Sequence, residues 1–190
     1  MKKVLGIDPG IQSVGIVLVS SDRKVLRADV VKPVAGGEAG TFDRVNTMLI
    51  SLVAEFGMDW LEADYVVLEG QQSYMTTTKN ICPSCRTSGV KYAGRRAGDT
   101  YVNPNDLIRI AHVGGALAFY LAHNNLVPNF VLPRVWTGQK PKEPNNIQIQ
   151  KVLGKAEKWP WKKPVKPIDY NHAIDAAGMA LWFIDNHDLT

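Results

Sequence analysis

The chain has 190 residues, 45% of them hydrophobic and 21% charged, enough for one well-buried core and too few for two ordinary domains. That balance excludes a disordered or fibrous chain, and no apolar run is long enough to span a membrane. A formal charge of +4 is too small a surplus to identify a partner by itself.

Two lysines at the N-terminus run straight into Val4-Leu5-Gly6-Ile7-Asp8, with no apolar stretch and cleavage site, so no signal peptide is expected and the setting is read as intracellular. Residues 3–7 and 14–20 read as strands joined by the Asp8-Pro9-Gly10 turn, and Ser21-Asp22-Arg23 leads into a third strand at 25–31. These three suggest an antiparallel meander. Residues 33–40 form a Gly-rich loop. Phe42, Val45, Leu49, Leu52 and Phe56 then recur at helical spacing, with Gly57 as the stop. Residues 65–68 form a short, wholly apolar strand, as expected in a sheet covered on both faces.

Residues 70–102 carry little periodicity and read as a long loop or hairpin excursion from a single domain spanning 1–190. Asn103-Pro104-Asn105-Asp106 is a helix start, with Asn as N-cap and Pro at the first position, and the helix continues to Asn124-Asn125. A short strand at 130–132, a short helix at 147–153 and a final helix at 172–185 complete the chain. The order βββαβαβα implies an α/β protein with a mixed five-stranded sheet, three antiparallel strands then two parallel, flanked by helices. It is the pattern of a ribonuclease H-like domain.

Four residues carry candidate chemistry. Asp8 ends the first strand at a rigid turn, Glu69 ends the apolar strand, and His172 and Asp175 are three apart and share one face of the last helix. Taken singly, each has an ordinary explanation: a turn Asp, a strand-end Glu, a capping His, an acid in a helix first turn. Together they form a set of like charges that a divalent cation would join, which makes a hard-metal site the economical reading. Gly15, inside the second strand, marks either a close approach or a bulge.

Basic residues fall in two segments between these acids. Between 139 and 167 there are eight lysines (140, 142, 151, 155, 158, 162, 163 and 166) against Glu143 and Glu157. Between 73 and 101, Lys79, Arg86, Lys91, Arg95 and Arg96 face one acid, Asp99, with Tyr74, Tyr92 and Tyr101 interleaved. Such a layout suits a polyanion held at a basic rim around an acidic centre, although either segment alone is equally a solvated surface.

The motifs resemble those of the RuvC-type Holliday junction resolvases, of the ribonuclease H-like superfamily. Gly6-Ile7-Asp8-Pro9-Gly10 with Gly15 is similar to their opening motif, and Glu69-Gly70-Gln71 to their Glu-Gln motif with one residue inserted. His172-Ala173-Ile174-Asp175-Ala176-Ala177 resembles their last helix, Leu107-Ile108-Arg109 through Ala118 their central helix, and Pro133 to Gly138 their Pro…Thr-Gly stretch.

The resemblance implies hydrolysis of DNA phosphodiesters at four-way junctions by a homodimer in a bacterial or phage-infected cytoplasm. Asp8, Glu69, His172 and Asp175 would hold two Mg²⁺ or Mn²⁺ ions per active site. Phosphate contacts are expected from Lys79, Arg86, Lys91, Arg95, Arg96, Lys140, Lys142, Lys151, Lys155, Lys162 and Lys163; the inserted Gly70 leaves the junction-probing aromatic unassigned, with Tyr74 as a candidate. Trp159 and Trp161 are candidates for base stacking or for packing at the core edge. Helicase partners are not legible.

The loop after Glu69 is longer than the family pattern and carries Cys82-Pro83-Ser84-Cys85, half of a tetrahedral zinc site. Reduced thiols, a zinc shared between subunits and a disulfide all remain open. Rival functions are another ribonuclease H-like nuclease acting on RNA–DNA hybrid or flap DNA, and a junction-binding module without catalysis. An actin-like ATP-binding domain would need a second Asp-x-Gly motif and a longer chain.

Overall fold

The computed structural model describes residues 1–33, 41–55, 60–70, 104–138 and 141–189, with side chains at 41–44 and 104–107 left out. Its strands are β1 (Lys3–Asp8), β2 (Val14–Ser20), β3 (Val25–Val31), β4 (Tyr65–Glu69) and β5 (Pro128–Val131). Its helices are α1 (Thr41–Glu55), α2 (Pro104–His123), α3 (Pro133–Trp136), α4 (Lys142–Leu153) and α5 (Tyr170–Asn186). The strands form one sheet in the order β3-β2-β1-β4-β5. The β1–β2 and β2–β3 pairs are antiparallel, and the β1–β4 and β4–β5 pairs are parallel. This is the mixed five-stranded arrangement, three antiparallel strands then two parallel, expected from the sequence.

Strand alternation divides the core into two layers. Leu5, Ile7, Ile16, Leu18, Val66 and Leu68 face α1 and α2, against Met48, Leu52, Val113, Leu117 and Leu121. Val4, Val17, Val19, Ala28, Val30 and Val67 face α5 and α4, against Ala173, Ala176, Ala177, Ala180, Ile149 and Leu153. Each fully buried large aliphatic side chain contributes about 2 kcal/mol. The same parity sends Asp8, four residues beyond Val4, and Glu69, two beyond Val67, to the α5 side.

α5 lies unusually close to the sheet. A Cβ on Gly6 would collide with the Ala176 carbonyl, and one on Gly15 with the His172 carbonyl and the Ala173 amide. Gly15 is paired in register with both Asp8 and Val30, and the one irregularity between β2 and β3 lies at Leu18/Val19. Of the two explanations for Gly15, close approach is therefore the one realised.

The other side of the sheet ends at β3, whose edge is covered by a short return of the chain. The Ala28 amide bonds the Pro160 carbonyl at 3.1 Å, and the Lys162 amide bonds the Ala28 carbonyl at 2.9 Å. An open edge would invite pairing with another chain, and this clip removes part of it. Trp159 and Trp161 serve the clip. Their indole N–H groups donate to the Gly154 and Ala156 carbonyls, and Trp161 stacks on Tyr170 at 5.0 Å. Both tryptophans are thereby used in packing, not held out for bases.

Some boundaries move. α2 begins at Pro104 as its start signal requires, and ends before Asn124, whose side-chain amide donates to the Tyr120 carbonyl. β5 lies two residues earlier at its start than the apolar run suggests. α4 starts at Lys142, five residues before its apolar residues become periodic, because Pro144 falls in the first turn where no amide donor is needed. α3 is a single turn with Pro133 in its first positions and has no periodic pattern to announce it. The expected loop at 33–40 beyond Pro33, the excursion at 70–102 beyond Gly70, the Asn103 cap and the Gly57 stop lie outside the described residues. Among the described residues, no helix is long and apolar enough to cross a membrane.

The close approach predicts a large penalty for one methyl group. Gly15→Ala should lower the free energy of unfolding in urea by about 3 kcal/mol or more, since backbone must move. Gly70→Ala, whose nearest contact would be Leu132 Cδ2 at 3.4 Å, should change it by under about 1 kcal/mol. Equal effects would show that α5 does not depend on that gap.

Candidate active site

The register Ile7↔Leu68 places Asp8 and Glu69 side by side at the ends of parallel neighbours. Asp8 is buried, and its Oδ2 lies 3.3 Å from Nδ1 of His172, the first-turn histidine of α5. Asp175, one helical turn on, keeps only 13% of its side chain exposed. The Lys142 ammonium donates to its Oδ2 at 2.6 Å. On the far side of Glu69, the Trp136 indole N–H donates to Oε1 at 3.4 Å, a long bond. Three elements from distant parts of the chain thus bring Asp8, Glu69, His172 and Asp175 to one place.

Electrostatics makes this arrangement costly for the carboxylates alone. Burial pushes Glu69 up to about 9, and the charge of Asp8 and the hydrogen bond shared with it act the same way, as does Asp175 more weakly. Only the Trp136 N–H opposes the shift. Glu69 therefore keeps its proton at neutral pH and donates it to Asp8. Burial also raises Asp175, against the hydrogen bond and charge of Lys142. Burial works to lower Lys142, but Asp175, with Asp8 and Glu69 behind it, outweighs that and raises the ammonium above its ordinary value. One proton and one ammonium together stabilise three neighbouring acids.

Three oxygen-donor acids and one imidazole are a suitable donor set for Mg²⁺ or Mn²⁺. As they stand, no three of the described His, Cys, Asp and Glu side chains are grouped to hold one ion. The set fits such a cation in chemistry, and Glu69 must lose its proton and Asp175 its lysine for binding. Beside Glu69 an open groove of about 370 Å³ runs between α2 and β5, walled by Ile110, Ala111, Phe130 and Leu132.

Other site candidates are spread more widely. Lys151 and Lys155 are exposed on and after α4. Lys162 donates to the Glu55 carbonyl at 2.8 Å and Lys163 to Glu55 Oε1 at 2.9 Å, so both engage the C-terminal end of α1. Lys142 reaches Asp175 with its ammonium while its side chain stays 60% exposed. Tyr74, Lys79, Cys82, Cys85, Arg86, Lys91, Arg95, Arg96 and Lys140 lie outside the described residues. Sequence reasoning missed Trp136. No pattern signals where an indole at the end of a single-turn helix points.

No family model matches the chain, and a search of curated proteins also gives no match. Solved structures do match. RuvC of Thermus thermophilus in complex with a Holliday junction substrate superposes with a TM-score of 0.60 at 18% identity, over 96% of this chain and 92% of that one. A second T. thermophilus RuvC structure gives 0.58 at 16% identity, over 96% and 95%. The yeast mitochondrial Holliday junction resolvase gives 0.51 at 16% identity, over 95% and 80%. Nearly the whole chain therefore shares the fold of the RuvC-type resolvases.

Proposed function

We propose that the chain is a structure-selective DNA endonuclease that resolves four-way junctions by metal-dependent phosphodiester hydrolysis, working as a homodimer. The observation that carries this is the convergence of Asp8, Glu69, His172 and Asp175 from β1, β4 and α5 into one over-charged cluster. The shared fold with junction resolvases supports the choice of substrate.

A pair of Mg²⁺ or Mn²⁺ ions, when bound, would activate the attacking water and stabilise the leaving 3′-oxygen. Asp8 would be the most rigidly held of the ligands, fixed by the strand end and the Pro9-Gly10 turn. Glu69 and Asp175 flank it, and His172, within 3.3 Å of Asp8, orients that carboxylate or joins the ligand set. Lys142 releases Asp175 and carries its ammonium to the solvent edge, where a phosphate would meet it. Lys151 and Lys155 are also exposed and would offer further phosphate contacts. Phe119 on α2 is 76% exposed and Phe130 on β5 61%, apolar surface that would suit a second copy of the chain. Two sites related by a twofold axis match the near-twofold symmetry of a junction.

Asp8→Asn should leave junction binding in EDTA intact and reduce cleavage in Mg²⁺ or Mn²⁺ about a thousandfold or more. Arms with linear duplex, RNA–DNA hybrid and flap DNA separate a junction resolvase from other nucleases on this fold. Loss of binding along with cleavage would assign Asp8 a structural role.

Junction affinity should fall steeply between low and physiological salt, and Lys151→Ala with Lys155→Ala should flatten the slope by about two phosphate contacts. An unchanged slope would remove these lysines from the interface.

The trapped proton has its own signature. Between about 4.5, the ordinary value for Glu69, and about 9, the folded protein holds a proton that the unfolded chain has released. Without metal, stability must then fall as pH rises through that window. Asp175 and Asp29, also raised chiefly by burial, act in the same direction. Glu69→Gln should flatten the fall, and Mg²⁺ should raise the melting temperature more at the top of the window than at the bottom. A metal effect independent of pH would contradict the site.

A further inference from the structure

Trp136 is the last residue of α3 and is half-buried. Its ring rests on α5 at Gly178, where an added Cβ would stand 2.8 Å from Trp136 Cζ3 and 2.6 Å from Ile149 Cδ1. Gly178 is therefore a notch, shared by the indole and by α4. It lies three residues after Asp175, on the same face of the helix. One face of α5 thus presents the acid that Lys142 holds and the recess that aims Trp136 at Glu69.

An indole N–H can only donate. Whether Glu69 is protonated or ionised, the oxygen facing Trp136 acts as an acceptor, and because a carbonyl oxygen accepts better than a hydroxyl, the hydrogen of the protonated acid is favoured on the other oxygen. That oxygen is left for Asp8. A freely rotating carboxyl group would exchange the two; here the indole N–H meets Oε1 at 3.4 Å and the ring is seated against Gly178.

We propose that Trp136, seated in the Gly178 notch, is a positioning residue for Glu69, anchoring one carboxylate oxygen so that the other faces Asp8 and a divalent cation. The assignment rests on the metal-site proposal above. Its test has a readout that does not depend on DNA cleavage. The chain has five tryptophans, whose indole N–H resonances can be assigned individually in isotope-labelled protein.

Glu69→Gln should shift the Trp136 resonance and leave the indoles of Trp159 and Trp161 in place, and Mg²⁺ should shift it in the wild-type protein. Trp136→Phe keeps a ring in the notch and removes the donor. It should weaken Mn²⁺ binding about tenfold by calorimetry, with an unchanged unfolding midpoint. A Trp136 resonance indifferent to Glu69→Gln would overturn the assignment, as would a Trp136→Phe protein that binds Mn²⁺ like the wild type. If Trp136→Phe fails to fold, the Glu69→Gln spectrum decides alone. A protein that binds Mn²⁺ through Glu69, responds to Trp136→Phe and yet cuts no junction would lose the nuclease assignment and keep this one.

Discussion

The structure depends on how closely one helix can lie on the sheet. At Gly6 and Gly15 the α5 backbone occupies the space where side chains would stand, and the helix answers with Ala173, Ala176, Ala177 and Ala180 on its inner face. Small residues on both partners let backbone approach backbone. This closeness sets the height of the first turn of α5 above the ends of β1 and β4. With larger residues at either glycine, α5 would ride outward, and His172 and Asp175 would leave the reach of Asp8.

What that approach creates is an electrostatic problem with a local remedy. Asp8, Glu69 and Asp175 cannot all be ionised in a partly buried site without a compensating cation. The protein alone supplies two substitutes, the proton that Glu69 holds to about 9 and the Lys142 ammonium on Asp175. Both are charges that a divalent ion can replace. On the proposed reading, the instability built into the site would drive metal binding, and the pH dependence of folding and that of metal affinity would be two aspects of the same proton inventory.

The parts legible in the sequence were those that depend on local pattern. Asp8 and Glu69 stand at strand ends because Val4–Ile7 and Val66–Leu68 are apolar runs stopped by an acid, and strand parity alone sends both to one face. His172 and Asp175 follow from a spacing of three on a helix. The partners of the lysines were not legible. Lys142, Lys162 and Lys163 look alike in a basic segment, yet one meets Asp175 and two meet Glu55, an assignment made by tertiary packing. Trp136 was illegible for the same reason. Its meaning comes from Gly178, forty-two residues away and on another element.

The placement of Lys142 also explains how the site can change occupant without opening the fold. Lys142, Asn146, Ile149 and Leu153 form one stripe of α4, at the spacing that keeps residues on a single helix face. Asn146 donates to Asn171 at 3.2 Å, Ile149 reaches Gly178, and Ile149 and Leu153 are buried with α5. These contacts hold the two helices together whatever Lys142 does. The lysine side chain itself is 60% exposed, and its terminal ammonium ties it to the cluster. Its release would cost a hydrogen-bonded ion pair, so on the proposed reading a divalent cation would compete with a largely exposed side chain and not with the packing of α4 on α5.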